Sequence, residues 1–338
     1  MHVFPSIQVG VVQYPGSSLS AIHGLGDLFA FANRFAAEQQ GNGGPFIRVS
    51  HWRSKASGKA PVRVDENASD TGSTEQLTVV ILPPRLGEQI TRAEALPYLD
   101  WLRENHGNGT LLSSVCGGAF LLAETGLLAG RPVTTHWAHA ELFRHRFPDV
   151  QLDTDKLVID DGDIISAGGV MAWVDLGLWL VNRFFGETVM GQTAHFMLAD
   201  PPAREQRFYS TFSPNLMHGD AAVLKVQEWI RSTGAKEVTI SALAELAGLE
   251  ERTFLRRFRK ATNFTAVDYC QRLRVDKARE LLQFTIQPIE TIAWEVGYTD
   301  TGAFRKIFTR ITGLSPGEYR QRFNVGRKPA SLPAHRGS

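Results

Sequence analysis

The sequence has 338 residues, of which 43% are apolar and 21% are charged. This composition is typical of a globular protein, and it excludes collagen-like, disordered and disulfide-stabilised classes. At roughly 150 residues per domain, the length predicts about two domains. The net charge of +1 conceals an uneven distribution: residues 221–338 hold 20 basic and 12 acidic side chains, whereas residues 1–220 hold 16 and 23. A basic C-terminal third is expected where one domain binds a polyanion.

The chain contains two cysteines, Cys116 and Cys270. Two cysteines in a chain of this length do not form a disulfide framework, which indicates a reducing compartment. The sequence shows no secretory signal and no apolar run of membrane-spanning length. We therefore expect a cytoplasmic protein without a membrane partner. Cys270 is expected in the core, on an apolar helix face with Val267 and Leu273.

The N-terminal part alternates short β-branched runs with helical stretches. Buried strands are predicted at residues 7–12, 77–82 and 110–115, and helices near residues 25–37 and 119–128. Nearly continuous apolar strands separated by helices are typical of a parallel sheet that is covered on both faces. The predicted fold is therefore α/β, a doubly wound, flavodoxin-like parallel sheet, over residues 1–198.

The remainder of the chain divides into three predicted segments. Residues 199–222 contain Pro201-Pro202 and Ser213-Pro214 and are interpreted as a linker. Residues 223–324 have helical periodicity with short polar breaks, which predicts an all-α domain. Residues 325–338 combine prolines, glycines and basic side chains and are interpreted as a disordered tail.

Residues 223–324 contain an internal repeat with an offset of 50 residues. Phe254, Phe258, Phe264, Thr265 and Tyr269 correspond to Phe304, Phe308, Leu314, Ser315 and Tyr319. Each unit predicts a helix, a glycine turn and a second helix, which is the layout of a helix-turn-helix. A connecting helix near residues 266–283 would be roughly 27 Å long. With the width of the two recognition units added, one chain can place both second helices in successive major grooves, which lie about 34 Å apart.

The second helix of each unit has an apolar face and a face that can enter a major groove. In the first unit this second face is the stripe Arg252, Leu255, Arg256 and Arg259. In the second unit it contains Gly302, Arg305, Lys306 and Thr309. The repeat of a basic face in a basic third of the chain indicates DNA binding rather than a solvated surface.

The same region resembles the DNA-binding region of the AraC/XylS transcription regulators. The likeness rests on residues 292–298 (IAWEVGY), 304–308 (FRKIF) and 313–320 (GLSPGEYR). It implies two subdomains joined by a long helix, with base-facing positions at Arg252, Leu255, Arg256, Thr301, Gly302, Arg305 and Lys306. Leu255 and Gly302 depart from the polar residues often found there, so base reading at these positions is expected to be apolar or weak.

Cys116 ends an apolar run and is followed by Gly117-Gly118 and a helix. A strand, a cysteine, glycine and a helix form a nucleophile elbow, in which small neighbours permit the bend. The N-terminus of a helix favours the thiolate. Residues 132–137 (PVTTHW) predict another strand that ends at His136. Cysteine and histidine at neighbouring strand ends form the core of a cysteine nucleophile site.

This part resembles the class I glutamine amidotransferase-like superfamily in its PfpI-type branch. The likeness rests on residues 114–118 (SVCGG), the pair Thr135-His136 and residues 166–169 (SAGG). With the C-terminal part, the chain resembles the GlxA-type regulators over about residues 7–323. That resemblance implies an α/β domain that senses a small metabolite.

Two departures from the related enzymes indicate that Cys116 and His136 are only a vestigial catalytic pair. The enzymes need a carboxylate after the first strand, whereas residues 14–21 contain no acid. They also have glycines whose N–H groups stabilise an oxyanion, whereas this chain has Pro83-Pro84-Arg85, and proline has no N–H. The expected site is a ligand pocket at Cys116, Gly117, His136, Trp137 and Arg85.

Tryptophans and histidines also lie near the expected pocket. Trp137 and Trp173 lie near its mouth by the resemblance and can stack on a cationic ligand, although core packing is the favoured interpretation. His136, His139 and His145 lack matching metal ligands elsewhere in the sequence. Neither a metal nor a cofactor is predicted.

The sequence thus predicts a sequence-specific DNA-binding transcription regulator, not an enzyme, controlled by a small metabolite. Its expected partners are double-stranded promoter DNA, an effector such as an amino acid or an amine, RNA polymerase and a second copy of the chain in a homodimer. Two alternatives stay open. One is a cysteine hydrolase or amidotransferase-like enzyme with an accessory DNA-binding module, and the other is a redox sensor that acts through Cys116.

Overall fold

The computed structural model describes residues 6–40, 44–54, 60–64, 76–201, 204–236 and 238–325. Except for its first residue, the predicted tail at 325–338 lies outside the described residues. The chain divides into two compact units, Met1–Gln206 and Arg207–Ser338. The division falls inside the predicted linker 199–222, and the functional boundaries 1–198 and 223–324 stay predictions.

The first unit is an α/β unit. Its strands are β1 (Ser6–Val12), β2 (Phe46–Arg53), β3 (Val62–Arg63), β4 (Val79–Leu82), β5 (Leu111–Val115), β6 (Pro132–Val133), β7 (Gln151–Leu152), β8 (Val158–Asp160) and β9 (Ile164–Ala167). Its helices are α1 (Leu19–Gln40), α2 (Arg92–Gly107), α3 (Gly118–Glu124), α4 (Ala140–Arg146), α5 (Trp173–Phe185) and α6 (Glu187–Phe196).

The main sheet of this unit has the strand order β3-β2-β1-β4-β5-β9-β8. The five central strands are parallel, and the edge strands β3 and β8 pair antiparallel to their neighbours. The carboxyl ends of β1, β4 and β5 therefore meet at one edge of the sheet. There the chain continues into residues 13–18, into Pro83–Arg85 and into Cys116.

Helices cover both faces of this sheet, because successive strand side chains alternate between two cores. In β1, Val9 and Val11 face α1 and α5, whereas Val12 faces the side of α2 and α3. The same alternation in β4 separates Val79 and Ile81 from their neighbours. The predicted doubly wound α/β fold is confirmed.

The structure corrects the predicted strand at residues 132–137. Only Pro132–Val133 forms a strand, and this short β6 pairs with β7 outside the main sheet. The neighbour of β5 in the main sheet is β9, which includes Ser166 and Ala167. His136 therefore does not end a strand next to the cysteine strand. Instead it caps a short 3-10 turn, Trp137–His139.

The second unit is all helical in its described residues. Its helices are α7 (Ala221–Ser232), α8 (Ile240–Ala247), α9 (Glu251–Thr262), α10 (Ala266–Phe284), α11 (Ile289–Glu295), α12 (Thr301–Thr312) and α13 (Pro316–Phe323). Helices α8 and α9 form one helix-turn-helix, and α11 and α12 form the other. The long connecting helix α10 joins them, which confirms the predicted pair of helix-turn-helix subdomains.

Local sequence signals set the ends of these helices. Gly248 and Gly297 lie in the two turns with positive φ angles of 65° and 90°, a conformation that favours glycine. Helix α13 begins with a capping box in which Ser315 and Glu318 bond each other's backbone N–H groups. Pro316 follows in the first turn, where its missing N–H has no cost.

Each helix-turn-helix has its own apolar core. The first contains Phe254, Phe258 and Cys270, and the second contains Phe304 and Phe308, all buried. The expectation for Cys270 is confirmed, but that for Val267 is wrong. The Val267 side chain is 54% exposed. No described helix is long and apolar enough to cross a membrane.

Candidate functional site

The second unit exposes the predicted DNA-facing side chains of its first helix-turn-helix. Arg252, Leu255, Arg256 and Arg259 are exposed on α9, opposite the buried Phe254 and Phe258. Within the described residues, the three arginines have no ion pair or hydrogen-bond partner for their side chains. In this part of the chain, no protein side chain or backbone group therefore competes with a phosphate or a base for these guanidinium groups.

The second helix-turn-helix presents a corresponding face. Gly302, Arg305 and Lys306 are exposed on α12, whereas Thr301 at its first turn is partly buried. Asp300 caps this helix by accepting hydrogen bonds from the backbone N–H groups of Gly302 and Ala303 at 3.0 and 2.9 Å. Gly302 suits this turn, because a Cβ there would lie 3.3 Å from Oδ1 of Asp300.

Arg305 differs from the other predicted base readers because it already has a partner. Its Nη2 donates to Oε1 of Glu290 at 2.9 Å, and both side chains are more than half exposed. An exposed ion pair of this kind is worth only about 0–1 kcal/mol. Binding of Arg305 to a base or a phosphate would therefore displace Glu290 at little cost.

In the first unit, Cys116 lies at a sharp bend between β5 and α3. Its φ angle is +52°, a left-handed conformation that is rare for residues other than glycine. The Cys116 N–H donates to the Ala167 carbonyl at 2.7 Å, and its carbonyl accepts from Oγ1 of Thr135 at the same distance. These bonds hold the predicted elbow between two neighbouring segments.

The thiol of Cys116 is not activated, which corrects the expectation from the helix N-terminus. The residue is 1% exposed, and burial raises the pKa of its thiol to about 11. Hydrogen bonds from the backbone N–H groups of Gly117 and His136 act in the opposite direction but do not outweigh burial. Helix α3 has only seven residues, so its dipole is short.

The His136 side chain is not placed as a general base for this thiol. Its Nδ1 accepts the backbone N–H of Ala138 at 3.1 Å, and it is the backbone N–H of His136 that bonds the Cys116 sulfur. Burial, followed by the nearby His139, lowers the pKa of His136. The imidazole is thus neutral at pH 7, and it packs beside the Trp137 ring at 5.3 Å between centroids.

Arg85 lies against the glycines of two loops at the same sheet edge. A Cβ on Gly117 would lie 3.3 Å from the Arg85 backbone nitrogen, and a Cβ on Gly16 would lie 3.4 Å from its Nε. Its Nη2 donates to Oε1 of Glu94 at 2.9 Å, which holds the pKa of Glu94 at about 2. The Arg85 side chain is only 12% exposed, and its buried Nε and Nη1 have no hydrogen-bond partner among the residues that the structure describes.

A glutamine at the end of the first unit binds the loop that carries His136. Oε1 of Gln206 accepts a hydrogen bond from the backbone N–H of Trp137 at 2.7 Å, and its Nε2 donates to the Thr135 carbonyl at 3.0 Å. Gln206 is 2% exposed. Just before it, Arg204 donates through Nε to the buried carboxylate of Asp175 at 3.2 Å.

The structure therefore brings Cys116, Gly117, Arg85, His136 and Trp137 to one end of the sheet. Trp173 instead belongs to the core, with its ring against Gly24, as favoured from the sequence. Sequence reasoning missed two residues here, Tyr14 and Gln206. The Tyr14 hydroxyl donates to the Pro83 carbonyl and lies near Cys116. Tyr14 follows the first strand and was detectable by position, whereas Gln206 carries no local signal.

The described residues contain no cluster of three or more His, Cys, Asp and Glu side chains able to hold a metal ion. The residues that surround Cys116 are instead hydrogen-bond donors and aromatic rings.

Comparisons with known proteins agree with both halves of this geometry. Residues 47–183 match the DJ-1/PfpI family, and residues 243–322 match a helix-turn-helix domain. The HTH-type transcriptional regulator CdhR of Pseudomonas aeruginosa is 27% identical over 327 residues, which cover 94% of this chain and 93% of that protein. The chain combines a DJ-1/PfpI domain with an AraC-type helix-turn-helix domain.

Other matches agree with this composition of a DNA-binding regulator. The HTH-type transcriptional regulator GlxA of Rhizobium meliloti is 28% identical over 239 residues, which cover 70% of this chain and 73% of that protein. A crystal structure of a putative transcriptional regulator protein from Vibrio parahaemolyticus covers 57% of this chain and 99% of its own, with 21% identity and a TM-score of 0.46. The two family matches and the curated relatives CdhR and GlxA together show a DNA-binding regulator with a DJ-1/PfpI domain ahead of its DNA-binding part.

Proposed function

We propose that this regulator reads promoter DNA through both helix-turn-helix units and that a small effector bound near Cys116 controls it. The single observation that carries the DNA proposal is the pair of exposed faces on α9 and α12, each opposite a buried aromatic pair. We place the DNA contacts at Arg252, Leu255, Arg256, Arg259, Thr301, Gly302, Arg305 and Lys306. Homodimerisation, contact with RNA polymerase and a cytoplasmic location belong to the same proposal.

The DNA contacts are tested with Arg256→Ala and Arg305→Ala, measured on an operator selected from random duplexes by the full-length protein. Each change removes an arginine placed to bond a base edge, so the affinity for this operator is expected to fall by about 10-fold or more. Affinity for unrelated DNA is expected to fall much less. Arg144→Ala, which removes an exposed charge from α4 in the first unit, is the matched control.

Unchanged operator affinity in both arginine variants would contradict the proposal that α9 and α12 contact the operator bases. A loss as large in Arg144→Ala would show that the total charge, rather than the two faces, controls binding.

Arg85 supports an effector with an anionic group, such as the carboxylate of an amino acid. Two of its nitrogens, Nε and Nη1, are buried without an acceptor among the described residues. A buried donor without a partner costs about 1–3 kcal/mol. A carboxylate that reaches Arg85 beside Cys116 and Gly117 would satisfy these groups with charge-assisted hydrogen bonds.

The loop from Thr135 to Trp137 connects the proposed effector site at Cys116 to the end of the first unit. On one side it bonds Cys116 through Oγ1 of Thr135 and through the His136 N–H. On the other side it bonds Gln206 through the Trp137 N–H and the Thr135 carbonyl. The next residue, Arg207, begins the second unit. A ligand that shifts this loop therefore acts on the residue that leads into the DNA-binding unit.

The effector proposal is tested by thermal unfolding of the full-length protein with each of the twenty amino acids and a set of aliphatic amines. A compound that binds the folded state at 100 times its Kd stabilises it by about 2.7 kcal/mol. Arg85→Met is expected to abolish this shift, and Gln206→Ala is expected to keep it while removing the effect of the same compound on operator affinity. A shift that survives Arg85→Met would place the ligand elsewhere.

We also propose that the Cys116 site has no catalytic activity, because its thiol is protonated at pH 7 and, in the described part of the chain, Nδ1 of the neighbouring His136 accepts a backbone N–H rather than bonding the thiol. In a Cys116→Ser variant, ligand-dependent transcription is expected to persist. Hydrolysis of ester or amide substrates by the wild type that disappears in this variant would favour a cysteine hydrolase. A promoter response to peroxide that disappears in it would favour a redox sensor.

A further inference from the structure

The two helix-turn-helix units meet along the connecting helix without a shared apolar core. Tyr269 and Cys270 of α10 belong to the first core, and Val275 and Ala278 belong to the second. Residues 271–274 thus form a seam between two separately packed bodies. A cavity of about 430 Å³ lies beside this seam, lined partly by Arg231, Lys236 and Lys277. Apolar packing alone therefore does not fix one unit against the other.

One side chain of the seam binds both units at once. Nε and Nη2 of Arg274 donate to the carbonyl of Ala235, with the Nε bond at 2.9 Å. Its Nη1 donates to the carbonyl of Gly297 at 3.2 Å. Ala235 follows α7 and belongs to the core of the first helix-turn-helix, and Gly297 lies in the turn of the second helix-turn-helix. The five N–H donors of a planar guanidinium make such a double attachment possible.

The two residues whose carbonyls accept these bonds have an unusual backbone conformation. Ala235 and Gly297 both have left-handed conformations, with φ angles of 56° and 90°. The φ angle of Gly297 is one that residues with a side chain rarely adopt, which favours glycine at this position. The Tyr298 ring, with its centroid 5.4 Å from the guanidinium carbon, supports the cation from the second unit.

A second link across the seam is weaker. Arg310 of α12 donates to Asp268 at 3.1 Å and to Gln271 at 2.7 Å, but its side chain is half exposed. Solvent screens such a contact, and its contribution is small. Arg274 is thus the main attachment between the unit that carries Arg256 and the unit that carries Arg305.

We propose that Arg274 is a positioning residue that sets the separation of the two DNA-reading helices and thereby the spacing of the two operator segments that they recognise. The inference rests on the proposed DNA contacts. Arg274 itself touches neither base nor phosphate in this proposal. Its role is to hold the two helix-turn-helix units at a fixed distance. When the first helix-turn-helix is bound to DNA, the second then lies over its own operator segment.

The test compares three duplexes: the selected operator, the same operator with one base pair inserted between its two recognised segments, and a duplex with only one segment. For the wild type, the insertion is expected to weaken binding by about 10-fold or more, since one base pair shifts and rotates the second segment. In Arg274→Met, the penalty for the insertion is expected to fall below about threefold. Affinity for the uninserted operator is expected to fall by about 10-fold, because the variant loses a charge-assisted hydrogen bond. Binding to the single segment is expected to be unchanged, which also reports that the variant is folded.

Lys277→Met is the matched control, because it removes a cation from the next turn of α10 whose one ion pair within the described residues is with Glu280. It is expected to keep the wild-type penalty. Arg274→Lys is expected to behave like Arg274→Met, since one ammonium group cannot reach both carbonyls. An unchanged insertion penalty in Arg274→Met, or an equal change in Lys277→Met, overturns the assignment. If instead Arg256→Ala and Arg305→Ala leave binding intact, the DNA contacts are wrong and the positioning role falls with them.

Discussion

At the scale of single residues, the environment of Cys116 decides what its chemistry can be. The residue has the left-handed bend of a nucleophile elbow, but its thiol is buried and its pKa is raised to about 11. A thiol with a raised pKa is protonated at physiological pH, and the protonated form is a poor nucleophile. The elbow geometry is therefore retained without activation, which fits a binding site better than a catalytic one.

The raised pKa of Cys116 predicts slow alkylation by iodoacetamide. The measurement uses a Cys270→Ala variant, in which Cys116 is the only thiol in the sequence. Because the pKa is about two units above the ordinary value of 9.0, the rate at pH 8 is expected to be about 100-fold below that of a free thiol. The rate is expected to rise about tenfold per pH unit between pH 7 and 9.5, as the thiolate fraction grows. The same protein in urea is the control. Alkylation of the folded protein at the free-thiol rate would contradict the raised pKa.

At the scale of elements, the start of α3 depends on a close approach to the strand beside it. A Cβ on Gly118 would lie 2.3 Å from the Leu82 carbonyl oxygen and 2.8 Å from that of Pro83. These atoms belong to the backbone at the end of β4 and cannot rotate away as a side chain would. The position of α3, and with it the bend at Cys116, therefore requires glycine at this site.

Gly118→Ala is expected to lower the free energy of unfolding by about 2–3 kcal/mol, because the added methyl group overlaps backbone atoms. Gly191→Ala is the matched control, since a Cβ at this helical position in α6 meets nothing within 4 Å. It is expected to stabilise by up to about 1 kcal/mol through helix propensity. Urea denaturation followed by circular dichroism measures both changes, and equal effects of the two substitutions would contradict the predicted overlap.

At the scale of the whole molecule, the near-zero net charge is the sum of an acidic and a basic part. Residues 221–338 carry an excess of eight positive charges, from 20 basic and 12 acidic side chains. Several of these, including Arg252, Arg256 and Lys306, are exposed and without a protein partner in the described part of the chain. Such groups neutralise DNA phosphates and release bound counterions.

Operator affinity is therefore expected to fall steeply with salt, by about 10³-fold between roughly 50 and 200 mM if about six phosphates are neutralised. Lys306→Ala is expected to reduce the slope of log K against log salt by about 1 if this lysine contacts a phosphate. Fluorescence anisotropy with labelled operator measures the slope. A nearly flat dependence would show that the basic excess does not face DNA.

Local patterns predicted most of this architecture, and long-range contacts account for what they missed. The repeat of Phe254 and Phe258 as Phe304 and Phe308 was sufficient to predict two helix-turn-helix units, because helical amphipathicity is encoded within a few residues. The bend at Cys116 was predictable from its glycines for the same reason.

The failures have a different physical origin. Residues 132–137 have a strand-like sequence, but which strand pairs with which is decided by tertiary packing, and β6 joins β7 outside the main sheet. The thiolate expected at a helix N-terminus is overruled by burial, a property of the assembled fold. Gln206 and Arg274 act on backbone groups more than 20 residues away, so no local motif marks them.

The attachment of Arg274 has a consequence for the evolution of this regulator. Its hydrogen bonds end on main-chain oxygens of Ala235 and Gly297, which every amino acid possesses. Substitutions on the exposed faces of α9 and α12 therefore leave the attachment intact. Each reading helix can acquire a new base preference independently, while the distance between the two is inherited. Operators of descendants of this protein are expected to diverge in sequence sooner than in spacing.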